Sequence, residues 1–383
     1  MHATRTPVTL IALSGALLTS IVLSAQTPAS EIDAHLNAAR TAAGQEYRAT
    51  FVNLCFTGGG PGGANPAARG AAAPAGGRPG GAAPAGARDG APPPGARGAA
   101  APAGAPGAAA AGGRAAGGRG AGGTPDRATW YASPYKVFDN LYWLGTRQHS
   151  SWALRTSDGL IIIDTNFAWA TEPEIVEGLT KLGLNPRDIK YVIISHAHGD
   201  HDQGAAELQK RYGAQVVMGA ADWEATLKRP ATAPGGVPKR DITVGPEGTK
   251  VTLGDTIVEI VATPGHTPGT LSYVFPVKDQ GRTVMVAYSG GTLTGAFGTD
   301  GARWDEYISS QRKIAKVAGD AGASVVLSNH SEYDGAYTKA RLLAAPRQPG
   351  ENHPFIVGAE GVQRYFTVMS ECAMASKLRA GAK

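Results

Sequence analysis

The chain has 383 residues, enough for one large or two ordinary domains, with 53 Gly, 26 Pro and only 17% charged residues. Its formal charge of +5 equals the charge of one Gly/Ala/Pro/Arg-rich stretch, so the remainder is close to neutral. A near-neutral body excludes a broad basic surface, and no nucleic-acid partner is expected.

Residues 1–25 read as a secretory signal. Arg5 supplies the positive start, Val8 to Leu23 is apolar, and Ser24-Ala25 offers a small-residue cleavage site before Gln26. The apolar run is short for a membrane span, and its Gly and Ser weaken an anchor. No Cys follows it, so no lipid anchor is expected. No other segment is apolar enough to span a bilayer. These features predict a periplasmic or secreted protein without stable membrane insertion after cleavage.

Residues 26–57 form an N-terminal segment in which EIDAHLNAARTAA has helical character. The only two cysteines are Cys55 and Cys372. In an exported protein they can form one disulfide tying this segment to the C-terminal one; the alternative is two unrelated buried thiols. Neither lies near the histidine motifs described below.

Residues 58–123 are almost wholly Gly, Ala, Pro and Arg, with too little apolar bulk to offset the entropy of ordering. Disorder is expected there. The tract holds Arg69, Arg78, Arg88, Arg97, Arg114 and Arg119 against one acid, Asp89. A basic tether to cell-wall polymer or anionic lipid is one reading. Wide spacing of the arginines favours a tolerated insertion in a loop instead.

The folded body is expected over 126–383. Strand signals open it at Lys136–Leu144, Ser151–Thr156 and Gly159–Asp164, punctuated by Asp-Asn and Asp-Gly turns. A helix follows, capped by Thr171 with Pro173 in its first turn and Ile175, Leu179 and Leu182 at helical spacing. Lys190–Ser195 reads as a buried strand, Asp202–Tyr212 as a helix, Gln215–Met218 as a strand and Ala221–Lys228 as a helix. Four strands come next, at Thr249–Leu253, Thr256–Val261, Thr270–Val277 and Thr283–Tyr288. Trp304–Ala318 is helical, Ser324–Leu327 a strand, and Val362–Lys377 a final helix. Strand blocks and αβ units recur in two halves, which suggests stacked sheets between helical layers.

Three histidine-bearing loops each follow a predicted strand, where α/β sheets place their sites. The first is Ser195-His-Ala-His-Gly-Asp-His201, the second Thr263-Pro-Gly-His-Thr-Pro-Gly269, the third Ser328-Asn-His330. Alternation along an extended chain points His196 and His198 to one side. Zinc favours imidazole nitrogen and carboxylate oxygen, and a catalytic site keeps one position open for water. His196, His198 and His266 suit a first zinc; Asp200, His201 and His330 suit a second. Two zinc ions about 3.5–4 Å apart can share one hydroxide of pKa near 7. A lone histidine such as His149 or His353 is more simply structural. Five of nine histidines in three strand-end loops are not.

The run His196-x-His198-x-Asp200-His201, the Gly265-His266-Thr267 turn and the late His330 resemble the metallo-β-lactamase superfamily, over Lys136 to about Glu332. The resemblance implies an α/β fold of αββα sandwich type and a binuclear zinc site with the same six ligands. Many hydrolases of that superfamily carry a metal-bridging Asp in a Gly-Asp-Thr-Leu-like turn. Here the turn is Tyr288-Ser-Gly-Gly-Thr-Leu293, with Gly291 at the Asp position and no Cys. Together with the export signal, this resembles subclass B3. Enzymes of that subclass often place Ser in this turn near the substrate carboxylate, which Gly291 cannot replace, although Thr292 or Thr294 offers a hydroxyl.

A monomer is expected, and the resemblance implies an enzyme with two zinc ions per chain and a small-molecule substrate. A bridging hydroxide would hydrolyse the β-lactam amide, with the catalytic Asp200 orienting it. The alternative is another exported binuclear zinc hydrolase acting on lactones, phosphoesters or amides. A non-enzymatic envelope protein with structural zinc fits poorly, since structural sites are closed. Asp164, at the end of GLIIID, is a candidate to fix a ligand imidazole, or a simple turn residue. Loop 229–241 is expected to flank the cleft, with Lys239 or Arg240 facing an anionic substrate or merely solvated. The loop around Gln148-His149-Ser150 and Trp152 is expected to be an ordinary hairpin or the opposite wall.

Overall fold

The computed structural model describes residues 28–56, 124–292 and 297–383. The expected signal, the Gly/Ala/Pro/Arg tract and Thr294 lie outside these residues. Among the described residues, twelve strands form two sheets. The first runs in spatial order β1 (Tyr135–Lys136), β2 (Leu141–Trp143), β3 (Trp152–Thr156), β4 (Gly159–Ile163), β5 (Ile189–Ile193), β6 (Gln215–Gly219) and β7 (Ile242–Val244). It is antiparallel up to β4 and parallel from β4 onward. The second contains β8 (Thr249–Leu253), β9 (Thr256–Ala262), β10 (Leu271–Asp279), β11 (Arg282–Ser289) and β12 (Val325–Ser328), with β12 on one edge parallel to β11.

Alternation along the strands explains the layers. In β4, Ile161 and Ile163 face the second sheet, meeting Tyr273, Phe275, Val286 and Leu327 in a core between the sheets. Leu160 and Ile162 face the other way, toward Ile175, Leu179 and Leu208 of the outer helices. On the far side, Val274, Ala287 and Val326 meet a second helical layer. Three cores between four layers define the αββα sandwich expected from the sequence.

That second helical layer contains α1 (Pro28–Ala43), α2 (Arg48–Phe56) and the terminal helix α7 (Gly358–Arg379). The N-terminal segment therefore packs into the body: α1 lies along α7, and Arg364 donates to Glu46 at 2.8 Å. Cys55 and Cys372 are joined, fastening α2 to α7.

Several expected elements differ in detail. The strand predicted over Lys136–Leu144 is divided into β1 and β2 by the turn at Asp139-Asn140. The helix predicted from Thr171 begins earlier, at Ala168, and is wound wide over Thr171–Val176. Pro173 has no N–H for the regular helical bond, and the Thr171 hydroxyl donates instead to the carbonyls of Phe167 and Thr165. The helix predicted over Asp202–Tyr212 is split into α3 (Gly199–Asp202) and α4 (Ala205–Tyr212). At the break, a Cβ on Gly204 would lie 2.4 Å from Thr171 Oγ1, so only glycine lets these two segments approach. Two further helices frame the site, α5 (Ala220–Leu227) and α6 (Gly301–Asp320).

Candidate metal centre

The site gathers at the ends of β4, β5, β9, β11 and β12. The turn after β5 carries His196 and His198, and α3 carries Asp200 and His201. His266 follows β9 and His330 follows β12. All six predicted ligands are brought together. His266 Nε2 lies 3.1 Å from His196 Nε2 and 3.1 Å from His198 Nδ1. Asp200 Oδ2 lies 3.2 Å from His201 Nε2 and 3.4 Å from His330 Nε2, and those two nitrogens are 3.2 Å apart. The triads adjoin, with the His196 and His201 rings 4.3 Å apart.

These spacings fit metal ligation. Bonds of about 2.0–2.1 Å in tetrahedral geometry place ligand atoms roughly 3.3–3.4 Å apart. Nitrogens converging on one point repel as lone pairs and clash as N–H groups; a cation satisfies them all. The outward ring nitrogens are tied as well: His196 Nδ1–H donates to Gly290 O at 2.9 Å, and His201 Nδ1–H donates to Asp164 Oδ2 at 3.1 Å. Both rings thus turn Nε2 inward.

The electrostatics separate the triads. Burial lowers the His196 pKa well below the ordinary histidine value, and the neighbouring imidazoles add to it. At His201 burial acts the same way but is outweighed by Asp200 and Asp164, and the pKa rises to about 10. Burial would raise that of Asp200, but His201 and His330 hold it well below the carboxylate range.

Asp164 is fully buried and organises the second triad. Besides His201 it accepts from Ser195 N at 2.7 Å, Ser195 Oγ at 2.8 Å and Tyr288 Oη at 2.8 Å. It holds φ at +59°, and Asn166 holds +56°, left-handed conformations that Asp and Asn tolerate best. The strap they form also lets Thr165 donate twice to His201 O.

Three partners are not evident from the sequence motifs. Asp222 on α5 accepts from Ala197 N at 2.8 Å, Thr267 Oγ1 at 2.8 Å and Gly269 N at 3.1 Å, locking the first two histidine loops together. Asn329 donates to Gly290 O at 2.9 Å and accepts from Thr292 Oγ1 at 2.9 Å. His149 places Nε2 3.5 Å from Asp200 Oδ2, and His149, Asp200 and His330 also form a group close enough to hold a metal ion. It too lies in a loop after a predicted strand, the criterion that singled out the other three loops. In the expected flanking loop, Arg240 pairs with Glu224 and the Lys239 backbone bonds Gln209. The cation reaching the histidine run is Arg229, bound to Ala197 O and Asp202 at 2.6 Å each.

Gly291 lies against the first triad. A Cβ there would come 2.7 Å from His266 Cβ and 2.9 Å from Thr270 Cγ2, so the turn has no room for Asp or Cys without moving a ligand.

This geometry agrees with what the chain is similar to. The profile of the metallo-beta-lactamase superfamily matches residues 144–279. A solved subclass B3 metallo-β-lactamase of Bradyrhizobium japonicum is 30% identical, with a TM-score of 0.53, covering 63% of this chain and 91% of that one. A hydroxyacylglutathione hydrolase of Acidiphilium cryptum is 37% identical over 87 residues, 23% of this chain but only 31% of that relative. One from a Bradyrhizobium species is 28% identical over 219 residues, 54% of this chain and 80% of that relative. The chain belongs to the metallo-β-lactamase superfamily of zinc-dependent hydrolases.

Proposed function

We propose that this protein is an exported hydrolase of subclass B3 type that opens the amide bond of β-lactams. The observation carrying this reading is the Gly291 turn, closed to a bridging carboxylate by His266 and Thr270. The second triad then relies on Asp200, His201 and His330. The 30% identity to a B3 enzyme over 91% of its length supports it.

His196, His198 and His266 would hold one zinc and Asp200, His201 and His330 another. When bound, the two ions supply an activated water and polarise the scissile carbonyl. Asp200 turns Oδ2 toward His201 and His330, leaving its other oxygen to orient the attacking water. Asp164 keeps His201 Nε2 turned inward throughout. Export is supported by the apolar run Val8–Leu23 and by the Cys55–Cys372 bond, which belongs in an oxidising compartment.

A second reading is favoured by the curated relatives: hydrolysis of a hydroxyacylglutathione thioester. The test is to give the zinc-loaded protein a chromogenic cephalosporin and such a thioester side by side. Chelator-sensitive cephalosporin turnover with little thioesterase activity is expected. The reverse ranking overturns the proposal.

A further inference from the structure

One ring at the site belongs to neither triad. His149 lies on the hairpin between β2 and β3, and backbone bonds from Ser150 N to Asn329 O (2.9 Å) and from Ser331 N to Gln148 O (2.8 Å) stitch this hairpin to the His330 loop. His149 thus sits opposite His330, their rings 5.0 Å apart. The Phe167 ring meets it edge-on at 5.1 Å. The side chain remains 16% exposed, so solvent reaches it.

Its tautomer follows from the turn before it. Thr146 Oγ1 accepts from His149 N at 3.0 Å and Gln148 N at 3.3 Å. A hydroxyl has two acceptor lone pairs and one proton. With both lone pairs engaged, the proton is directed to His149 Nδ1, 3.1 Å away. Nδ1 then accepts, and Nε2 of the neutral ring carries the hydrogen. A protonated ring nitrogen cannot ligate a metal. The 3.5 Å between Nε2 and Asp200 Oδ2 exceeds a good N–H···O bond, so the N–H still has a hydrogen bond to give.

We propose that His149 is a substrate-anchoring donor rather than a metal ligand, presenting a fixed Nε2–H to a carboxylate oxygen of the substrate beside the second triad. This inference rests on the hydrolase reading but not on the identity of the bond cleaved.

The test uses binding as well as turnover. Mercaptoacetate and mercaptoacetamide share a thiol for the metal and differ in the charge of the group beside it, which the zinc ions and His149 would both meet. Calorimetry on the zinc-loaded protein should show the acid bound about tenfold or more tighter than the amide. His149→Ala should reduce that preference severalfold, and His149→Gln, which keeps an N–H, should restore part of it. Zinc per chain and the absorption of the cobalt-substituted protein should be unchanged in both variants. Loss of one zinc or an altered cobalt spectrum in folded His149→Gln would make His149 a ligand and overturn the proposal. An undiminished acid preference in His149→Ala would overturn it too. If β-lactams prove not to be substrates, the mercaptoacetate comparison still decides the role of His149. If they are, KM for a cephalosporin acid should rise in His149→Ala while that for its methyl ester stays level.

Discussion

The two triads are built on opposite principles. The first is all imidazole and opens outward, with His198 exposed and His266 half-buried. The second mixes a carboxylate with two imidazoles, and His201 is completely buried. A backbone carbonyl, Gly290 O, orients His196, whereas a buried carboxylate, Asp164, orients His201. Burial disfavours a proton on His196 and His198 in the first triad, while in the second the carboxylates attract either a proton or a metal. The contrast teaches that the first site is set by loop geometry and the second by charge.

Breaking the second triad should have the largest effect. Asp200→Ala removes its only anionic ligand, and zinc should fall from near two to near one per chain with loss of most turnover; metal analysis and kcat/KM check this together. Two retained zinc ions would contradict the assignment. Asp164→Ala leaves the six ligands in place but removes the support of His201. Such outer partners are typically worth 10–100-fold in metal affinity, so competition with a chelator should show a drop of about that size, confined to one of the two zinc ions. A loss shared by both would mean that the triads are not independently held.

The scaffold offers a control. Replacing Cys55 and Cys372 by Ser should lower stability by about 2–5 kcal/mol in denaturant titration while zinc content stays level, because the bond lies in the helical layer away from the site. A pH-dependent effect on stability is expected from Glu174, on the helix after the Asp164–Phe167 strap. Burial raises its pKa to about 8, and one oxygen has no hydrogen-bond partner. The folded state keeps this proton above the pH where the unfolded chain loses it. Its contribution to stability is therefore most favourable at low pH and declines from about pH 4.5 to 8, by up to about 1.4 kcal/mol per unit. Glu174→Gln removes that loss, so its Tm advantage over the parent chain should grow from pH 5 to pH 8. A constant difference would show that Glu174 does not retain its proton.

Much of the chain was legible in one dimension. Hydrophobic alternation and turn residues are local, and they outlined most strands, including β4 and β8 to β11. The six candidate ligands were legible because histidines crowd into loops after predicted strands. Element interiors that depend on neighbours were not: the break at Gly204 answers the approach of Thr165 and Thr171, and the wide turn at Thr171 combines Pro173 with bonds back to Phe167 and Thr165.

The sequence by itself determined the layered α/β architecture and named the candidate ligands of the site, because periodicity and residue type are carried residue by residue. Only the tertiary structure decided what holds the ligands in place. Asp222 and Asn329 carry no local signature, since each works by bridging loops distant in sequence. Asp164 was visible as a candidate, but its four-way bonding required β4, β5 and β11 to meet. His149 looked solitary in the chain. Pairing of its hairpin with the His330 loop placed it at Asp200, while the Thr146 turn, itself local, holds its Nδ1. Hydrogen bonds across the fold depend on proximity, which one-dimensional spacing does not encode.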